Sequence, residues 1–463
     1  MLAKAGKRVQ ILKKFQICED VELFLLPILP FFIIFAENIY NLLIYNRKMK
    51  FTSIIALLLL SANGAAAQNK VTKSYEVTVN NALKRDYKDM PVTIKINDFK
   101  ADFRVRSAVV KLNGEEIPSQ LDDFDGDGHN DELALVLDMK GKSSAKLDVT
   151  LCNLPSEKKY KSRVYGDMIL NDKNKRIPTI TTLSAPGTKI TRPYYDAVFL
   201  HGPVFESELV GYRIYFDNRQ SLDLYGKIKQ RIELPTTRFH TTDAQLAEGY
   251  GADVLWAGKT VSLGSFRGWD ADKKEPLYVD SVKTRQESLR AAGPVRTIIE
   301  VKDYDWLYDN HFLTMTQYYT LWAGHRDVKV EVHFEDKLTN ETFCTGVQKL
   351  ETDISGFLDG KKGIAGSWGT NQPEKGKKIF ETVGLGIYVP TYYIKDSRED
   401  GGNYLFNIGN DGDNEIHYYI TFCNQKEENG WKTNKEWFSH VKEWAQQKRE
   451  EERNTTNYTI NIK

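Results

Sequence analysis

The chain has 463 residues, 41% of them hydrophobic and 12% aromatic, which is too much apolar side chain for a disordered protein. That length suits about two or three domains. Its 64 Lys and Arg against 63 Asp and Glu leave a formal net charge of +1, and no long basic run points to a nucleic-acid partner.

The first stretch of note is "LFLLPILPFFIIFA", 14 apolar positions with two prolines, which is short for a membrane span. From Met49 the sequence reads "MKFTSIIALLLLSANGAAAQ". A basic start, an apolar run and Ala65-Ala66-Ala67 before Gln68 make a secretory signal peptide with a small-residue cleavage site. Translation is therefore expected to begin at Met49, with residues 1–48 an extension and 49–67 the signal peptide. A membrane anchor is the rival reading. The mature protein is expected in the periplasm or outside the cell, with no membrane span. Cys18, Cys152, Cys344 and Cys423 are not spaced for zinc, and the last three are expected as buried thiols.

Residues 70–155 carry "YEVTVN", "PVTIKIN", "AVVKLN", "LALVLDM" and "AKLDVTLC". These period-two runs separated by polar turns predict a small antiparallel β-sandwich. Within it, "DDFDGDGHNDEL" packs five aspartates and a glutamate into 12 residues. Asp123, Asp125, Asp127 and Asp131 alternate around a glycine that permits a tight bend, so their carboxylates converge. Hard oxygen ligands in that number suit a structural Ca²⁺. Ala134 stands where an EF-hand has its Glu, and an acidic hairpin without metal is the simpler alternative. "SEKKYKSR" then reads as a linker.

Residues 165–452 are again rich in strands: "VGYRIYF", "SLDLYGKIK", "VRTIIEVKDY", "LTMTQYYTLW", "DVKVEVHFE" and "NEIHYYITF". Val328, Val330, Val332 and Phe334 fall on one side and Lys329, Glu331 and His333 on the other, as in an antiparallel sheet with one packed face. Two large stacked sheets are expected. Near the end, Trp437, Val441 and Trp444 share a helical face. Residues 453–463 read as a polar tail. The fold class is thus all-β: a small N-terminal β-sandwich followed by a large antiparallel supersandwich with a C-terminal helix.

Chemistry concentrates in "HGPVFESELVGYRIYFDNRQSLDLYGK", from His201 to Lys227. By parity, Tyr212 and Ile214 share one face and Arg213, Tyr215 and Asp217 the other. Leu222 and Leu224 alternate with Asp223, Tyr225 and Lys227. If the strands pair as a hairpin, one face collects Arg213, Tyr215, Tyr225 and Lys227. His201 and Glu206 lie just upstream and His240 just downstream. His or Tyr can move a proton, and Arg and Lys can hold a uronate carboxylate. A solvated sheet face laced with ion pairs is the alternative. "GYGADVLWAGKTVSLGSF" is expected to allow close backbone approach near a cleft, with no phosphate-loop signature. Trp368 and Asn371 in "SWGTNQ" would suit a sugar platform; a buried Trp anchor is the alternative.

The acidic loop followed by "ELALVLDM", the His201–Lys227 block and "GADVLWAG" together resemble domain-of-unknown-function family 4861, from about Tyr75 to the terminal helix. The resemblance implies an exported glycan-utilisation protein with the sugar-binding supersandwich shared by mutarotases and many polysaccharide lyases. It also implies action on unsaturated uronic-acid oligosaccharides by dehydration. It assigns no catalytic residues.

The expected function is an exported enzyme on acidic, uronic-acid-containing oligosaccharides that works by elimination, as a lyase or dehydratase. His201, His240 or Tyr225 would move the proton, and Arg213 and Lys227 would stabilise the developing charge. Glu206, Tyr215, Asp217, Trp368 and Asn371 would bind substrate. No organic cofactor is expected. The alternatives are a non-catalytic glycan-binding protein and a glycoside hydrolase with paired carboxylates such as Glu206 and Asp217.

Overall fold

Strand alternation in the first part of the chain produces two small sheets. Thr72–Asn80, Ser107–Leu112, Glu115–Ile117, Ser144–Cys152 and Asn457–Ile462 form a five-stranded sheet; Tyr87–Lys95, Ser119–Asp122 and Glu132–Met139 form a three-stranded one. The computed structural model describes residues 69–463 apart from 173–174, 187–195, 375, 377, 411 and 455–456. The expected N-terminal extension and signal peptide lie outside the described residues. Val77, Val92, Leu135, Leu147 and Val149 meet between the two sheets, each fully buried. Burying such a side chain contributes roughly 1.5–3 kcal/mol.

The end of the chain corrects the reading of a polar tail. Asn457–Ile462 pairs antiparallel with the first strand, Val77 opposite Ile460. Without it, the backbone of Thr72–Asn80 would present an open edge. The polar composition of "NYTINI" hides an alternation in which Tyr458 and Ile460 cover the small core.

The rest is the expected large sandwich. One layer is a nine-stranded antiparallel sheet whose central strands are Arg296–Tyr308, His311–Trp322, Val328–Phe334 and Glu415–Asn424. The facing layer has two parts. A six-stranded sheet contains Val198–Ser207, Val210–Ile214 and Leu222–Gly226, and a five-stranded sheet contains Phe343–Gln348 and Asn403–Ile408. Tyr212, Leu224, Phe343 and Phe406 meet Tyr319, Val330 and Ile420 between the layers. In Val328–Phe334 the alternation holds along the whole strand: the three valines and Phe334 are buried, and Lys329, Glu331 and His333 half-buried. Among the described residues, Cys152, Cys344 and Cys423 are buried free thiols. No described helix is long and apolar enough to cross a membrane.

The terminal helix runs Asn434–Arg453, started by a capping box between Thr433 and Glu436. Trp437, Val441 and Trp444 pack on the nine-stranded sheet as their spacing predicts. Gly384 and Gly386 make this approach workable, since a Cβ there would lie 2.6 Å from Trp437 and 2.8 Å from Val441. Trp368 belongs to the same cluster and is only 6% exposed. It is therefore a packing anchor and not a sugar platform.

The small sandwich is clamped to the outer face of the nine-stranded sheet. Arg296 is buried between Asp122, at 2.7 Å, and Glu132, at 2.5 Å. Gln120 Oε1 accepts the backbone N–H groups of Val295 and Arg296 at 2.7 and 3.0 Å. Phe124, from the acidic loop, packs at a tilt against Tyr318 with ring centroids 4.6 Å apart.

Candidate functional site

The hairpin expected from parity forms. Arg213 lies opposite Asp223, and Gly211 opposite Tyr225. The apolar face of the hairpin enters the main core, as anticipated. The other face is not a solvated surface. Residues 228–253 fold back across it, and Leu234 and Phe239 pack against Val204 and Tyr225.

This cover divides the predicted site residues. Lys227 and Glu206 lie beneath it, 1% and 0% exposed. They form an ion pair, and Lys227 also donates to the carbonyls of Ser207 and Arg231 at 2.5 and 2.7 Å. Glu206 accepts the backbone N–H groups of Glu233 and Leu234. Burial pushes the carboxyl up and the ammonium down, each opposed by the other's charge. Tyr225 is fully buried and donates to Gly251 O at 2.8 Å; burial pushes its hydroxyl up. These three residues hold the cover in place and are removed from the surface where a substrate could meet them. The proposed hydrolytic pair loses Glu206 for the same reason. Asp217 also serves the fold: it accepts Arg219 Nη2 at 2.6 Å and caps its own turn through the Arg219 N–H.

At the edge of the cover lies a smaller polar cluster, in which Arg213 and Asp223 are buried and Tyr215 and Asp253 reach the surface in part. Arg213 bonds to Asp223 and to the Tyr215 hydroxyl, the latter at 2.7 Å, and Tyr215 in turn donates to Asp223 at 3.0 Å. Asp253 approaches the same guanidinium at 3.7 Å and keeps 28% of its side chain exposed. Arg213 also lies over the rings of Phe239 and Tyr215, 4.5 and 4.7 Å from their centroids. Its Nε has no hydrogen-bond partner among the described residues. His240 is close enough to feel the charges of Arg213 and Asp223.

The two histidines are carried by strained backbone. Leu200 and His201 have φ of 66° and 61°, where the strand Val198–Ser207 bulges out of register. Gly202 follows, and a Cβ on it would overlap the carbonyl of Ile214. Arg238 and Phe239 repeat the pattern just before His240, at 49° and 66°. Left-handed residues other than glycine each cost of order 1–3 kcal/mol and gather at functional sites. The bulge turns His201 out of the alternation of its strand.

Electrostatics separate an acid from a base. Burial, and then repulsion from Asp223, hold the Asp253 carboxyl well above the usual carboxylate range, against the pull of Arg213. Partial burial of the His240 ring, and then the Arg213 charge, hold its imidazole below the usual range. A carboxyl held high and an imidazole held low thus share the influence of one arginine, the pattern that separates an acid from a base.

Sequence reasoning missed Asp253, Phe239 and Trp256. The signal was "GYGADVLWAG", whose glycines were read as allowing close approach. A Cβ on Gly251 would indeed overlap Gly226 O. Asn371 is buried and holds this segment, accepting the Trp256 N–H at 2.9 Å and donating to Val254 O at 2.9 Å. Its role is to position the segment and not to bind sugar. Trp256 itself is 45% exposed.

In the acidic loop, Asp123, Asp125 and Asp131 each offer an oxygen within 4.8 Å of the others, and these three could hold a metal. Asp127 is outside that group and accepts the His129 N–H at 2.6 Å. The loop also touches the large sheet: Gly126 lies so close to Arg290 that a Cβ would overlap the guanidinium.

The family model described as a domain of unknown function, DUF4861, matches residues 79–451. No curated protein matches the chain. Similar solved structures include a protein of glycosyl hydrolase family 38 from Enterococcus faecalis, 9% identical with a TM-score of 0.41, covering 84% of this chain and 47% of that one. An alpha-mannosidase from Enterococcus faecalis V583 is 8% identical with a TM-score of 0.41, covering 84% and 46%. The chain spans about half the length of these proteins. At this TM-score the likeness bears on neither substrate nor mechanism.

Proposed function

The chain belongs to the DUF4861 family, and we propose that it is an enzyme acting on acidic, uronate-containing oligosaccharides by elimination at Arg213. The observation that carries this reading is the Asp253 carboxyl, held high, 3.7 Å from an arginine whose charge also holds the His240 imidazole low. In elimination a base removes the proton on the carbon next to the carboxylate. The carbon–oxygen bond one position further breaks, a carbon–carbon double bond forms, and an acid protonates the departing oxygen. His240 would take the first proton and Asp253 would give the second. Arg213, buried beside Asp253 and Tyr215, would supply the positive charge that steadies the negative charge building on the carboxylate. Exposed Trp256 offers a ring face for the sugar.

The test is incubation with saturated uronate oligosaccharides, which keep the proton next to the carboxylate, following the rise in ultraviolet absorbance of the new double bond and, by mass spectrometry, chain cleavage or the loss of one water. Turnover that disappears in His240→Ala supports the reading. Tight binding without any turnover across acidic glycans would replace it with a glycan-binding protein.

The acidic loop is proposed to hold a structural Ca²⁺ on Asp123, Asp125 and Asp131, whose convergent oxygens suit a hard cation. Added Ca²⁺ is expected to raise the melting temperature and a chelator to reverse it. Asp125→Ala is expected to abolish the response. A calcium shift that survives Asp125→Ala would sink this assignment.

A further inference from the structure

A cleft of about 650 Å³ opens between the small sandwich, the outer face of the nine-stranded sheet and the last turns of the terminal helix. Its floor is the polar side of the central strands: Trp322, Lys329, Glu331, His417 and Tyr419. One wall carries Phe124 and Glu132, the other Lys448, Glu451 and Glu452. Tyr392 stands at the rim, 47% exposed. The volume is in the range of small-ligand sites. The Arg296 clamp and the Phe124–Tyr318 ring contact hold its walls together, so it is preformed.

The charges select the ligand. Each cation in the lining is already matched: Lys329 by Glu331 at 2.6 Å, Lys448 by Asp327 and Glu451 at 2.8 and 3.0 Å, and Arg296 by Asp122 and Glu132. Glu452 is a further carboxylate, and it accepts His417 Nε2 at 3.0 Å. Carboxylates exceed cations, so the cleft repels a uronate, sulfate or phosphate and has no cation to spare for one. It does offer carboxylate and imidazole groups for hydroxyls beside the rings of Trp322, Tyr392 and Tyr419. Flat apolar ring faces next to polar hydrogen-bonding groups match a pyranose, which has C–H faces and a hydroxyl edge.

We propose that this cleft is a saccharide-binding site for neutral pyranose units, separate from Arg213 and opposite to it in charge preference. The inference stands whether or not the Arg213 cluster performs elimination. A chain with both sites would hold a neutral stretch of a glycan in one and meet an acidic sugar at the other.

The test is calorimetric titration of the full chain with neutral tetrasaccharides (cellotetraose, mannotetraose and xylotetraose), with tetragalacturonate and with spermidine. At least one neutral tetrasaccharide is expected to bind, and Tyr392→Ala and Glu331→Gln are each expected to weaken it by about tenfold or more. Asp253→Asn is expected to leave that affinity unchanged, which separates this site from the elimination reading. Tyr392 is a rim residue, so its loss does not disturb the core. The proposal is overturned if no neutral tetrasaccharide binds, or if binding is untouched by both cleft variants. It is also overturned if spermidine or tetragalacturonate is the ligand those variants weaken.

Discussion

Lys227→Ala is expected to destabilise the protein by about 3–5 kcal/mol, because it leaves the Glu206 carboxylate buried without its counter-charge. That is a large fraction of a typical stability of about 5–15 kcal/mol. The backbone donors of Glu233 and Leu234 still reach Glu206, but they are neutral dipoles. The cover over the hairpin hangs on this pair, so loss of soluble protein is the expected outward sign. Denaturant unfolding measures it directly. The double variant Glu206→Gln, Lys227→Met removes both charges and is expected to recover most of the loss, with turnover retained. A double variant that is fully stable yet inactive would return the pair to the chemistry.

Asp253→Asn is expected to show the opposite profile: turnover falls by about 10²–10⁴ while stability holds or rises. The sign follows from the carboxyl's position above its ordinary range. Such a group contributes stability that is fully present below its unfolded pKa and is lost as pH rises through the raised folded value. Asparagine cannot ionise, so that loss on the alkaline side disappears. Activity should follow two limbs. It rises with pH as His240 loses its proton, below the usual imidazole range, and falls as Asp253 ionises, above the usual carboxylate range. His240→Ala removes the acidic limb, and Asp253→Asn leaves a residual rate without the alkaline one. A pH profile unchanged in shape in Asp253→Asn would remove that residue from proton transfer.

The two variants divide a cluster that looked uniform in the sequence. Arg213, Tyr215, Tyr225 and Lys227 do share one face of a real hairpin, as alternation required. Alternation reports which side of a strand a residue occupies, and it does not report what lies above that side. The cover comes from residues 228–253, whose short helices and turns have no period to read. It buries Tyr225 and Lys227 outright, leaves Arg213 4% exposed and keeps Tyr215 half-buried. Asp253 is 40 positions from Arg213 in the chain, and no local pattern connects them. Trp368 shows the same limit from the other direction: a tryptophan in a polar stretch fits a sugar platform until the terminal helix is laid over it.

What the sequence determined by itself was everything that repeats along the chain. Period-two runs set the all-β class, and the i, i+4, i+7 spacing of Trp437, Val441 and Trp444 set the buried face of the one long described helix. The aspartates of the acidic loop were brought together by a tight turn between neighbouring strands. These features follow from local geometry, in which the backbone direction alone decides where side chains go. Tertiary structure alone decided which polar groups remain in water. That depended on the fold-back of residues 228–253, on the return of Asn457–Ile462 to the first sheet, and on the clamp that closes the wall of the cleft. Each joins segments far apart in sequence. The free energy of a charged group is set by burial and by the charges that burial places beside it.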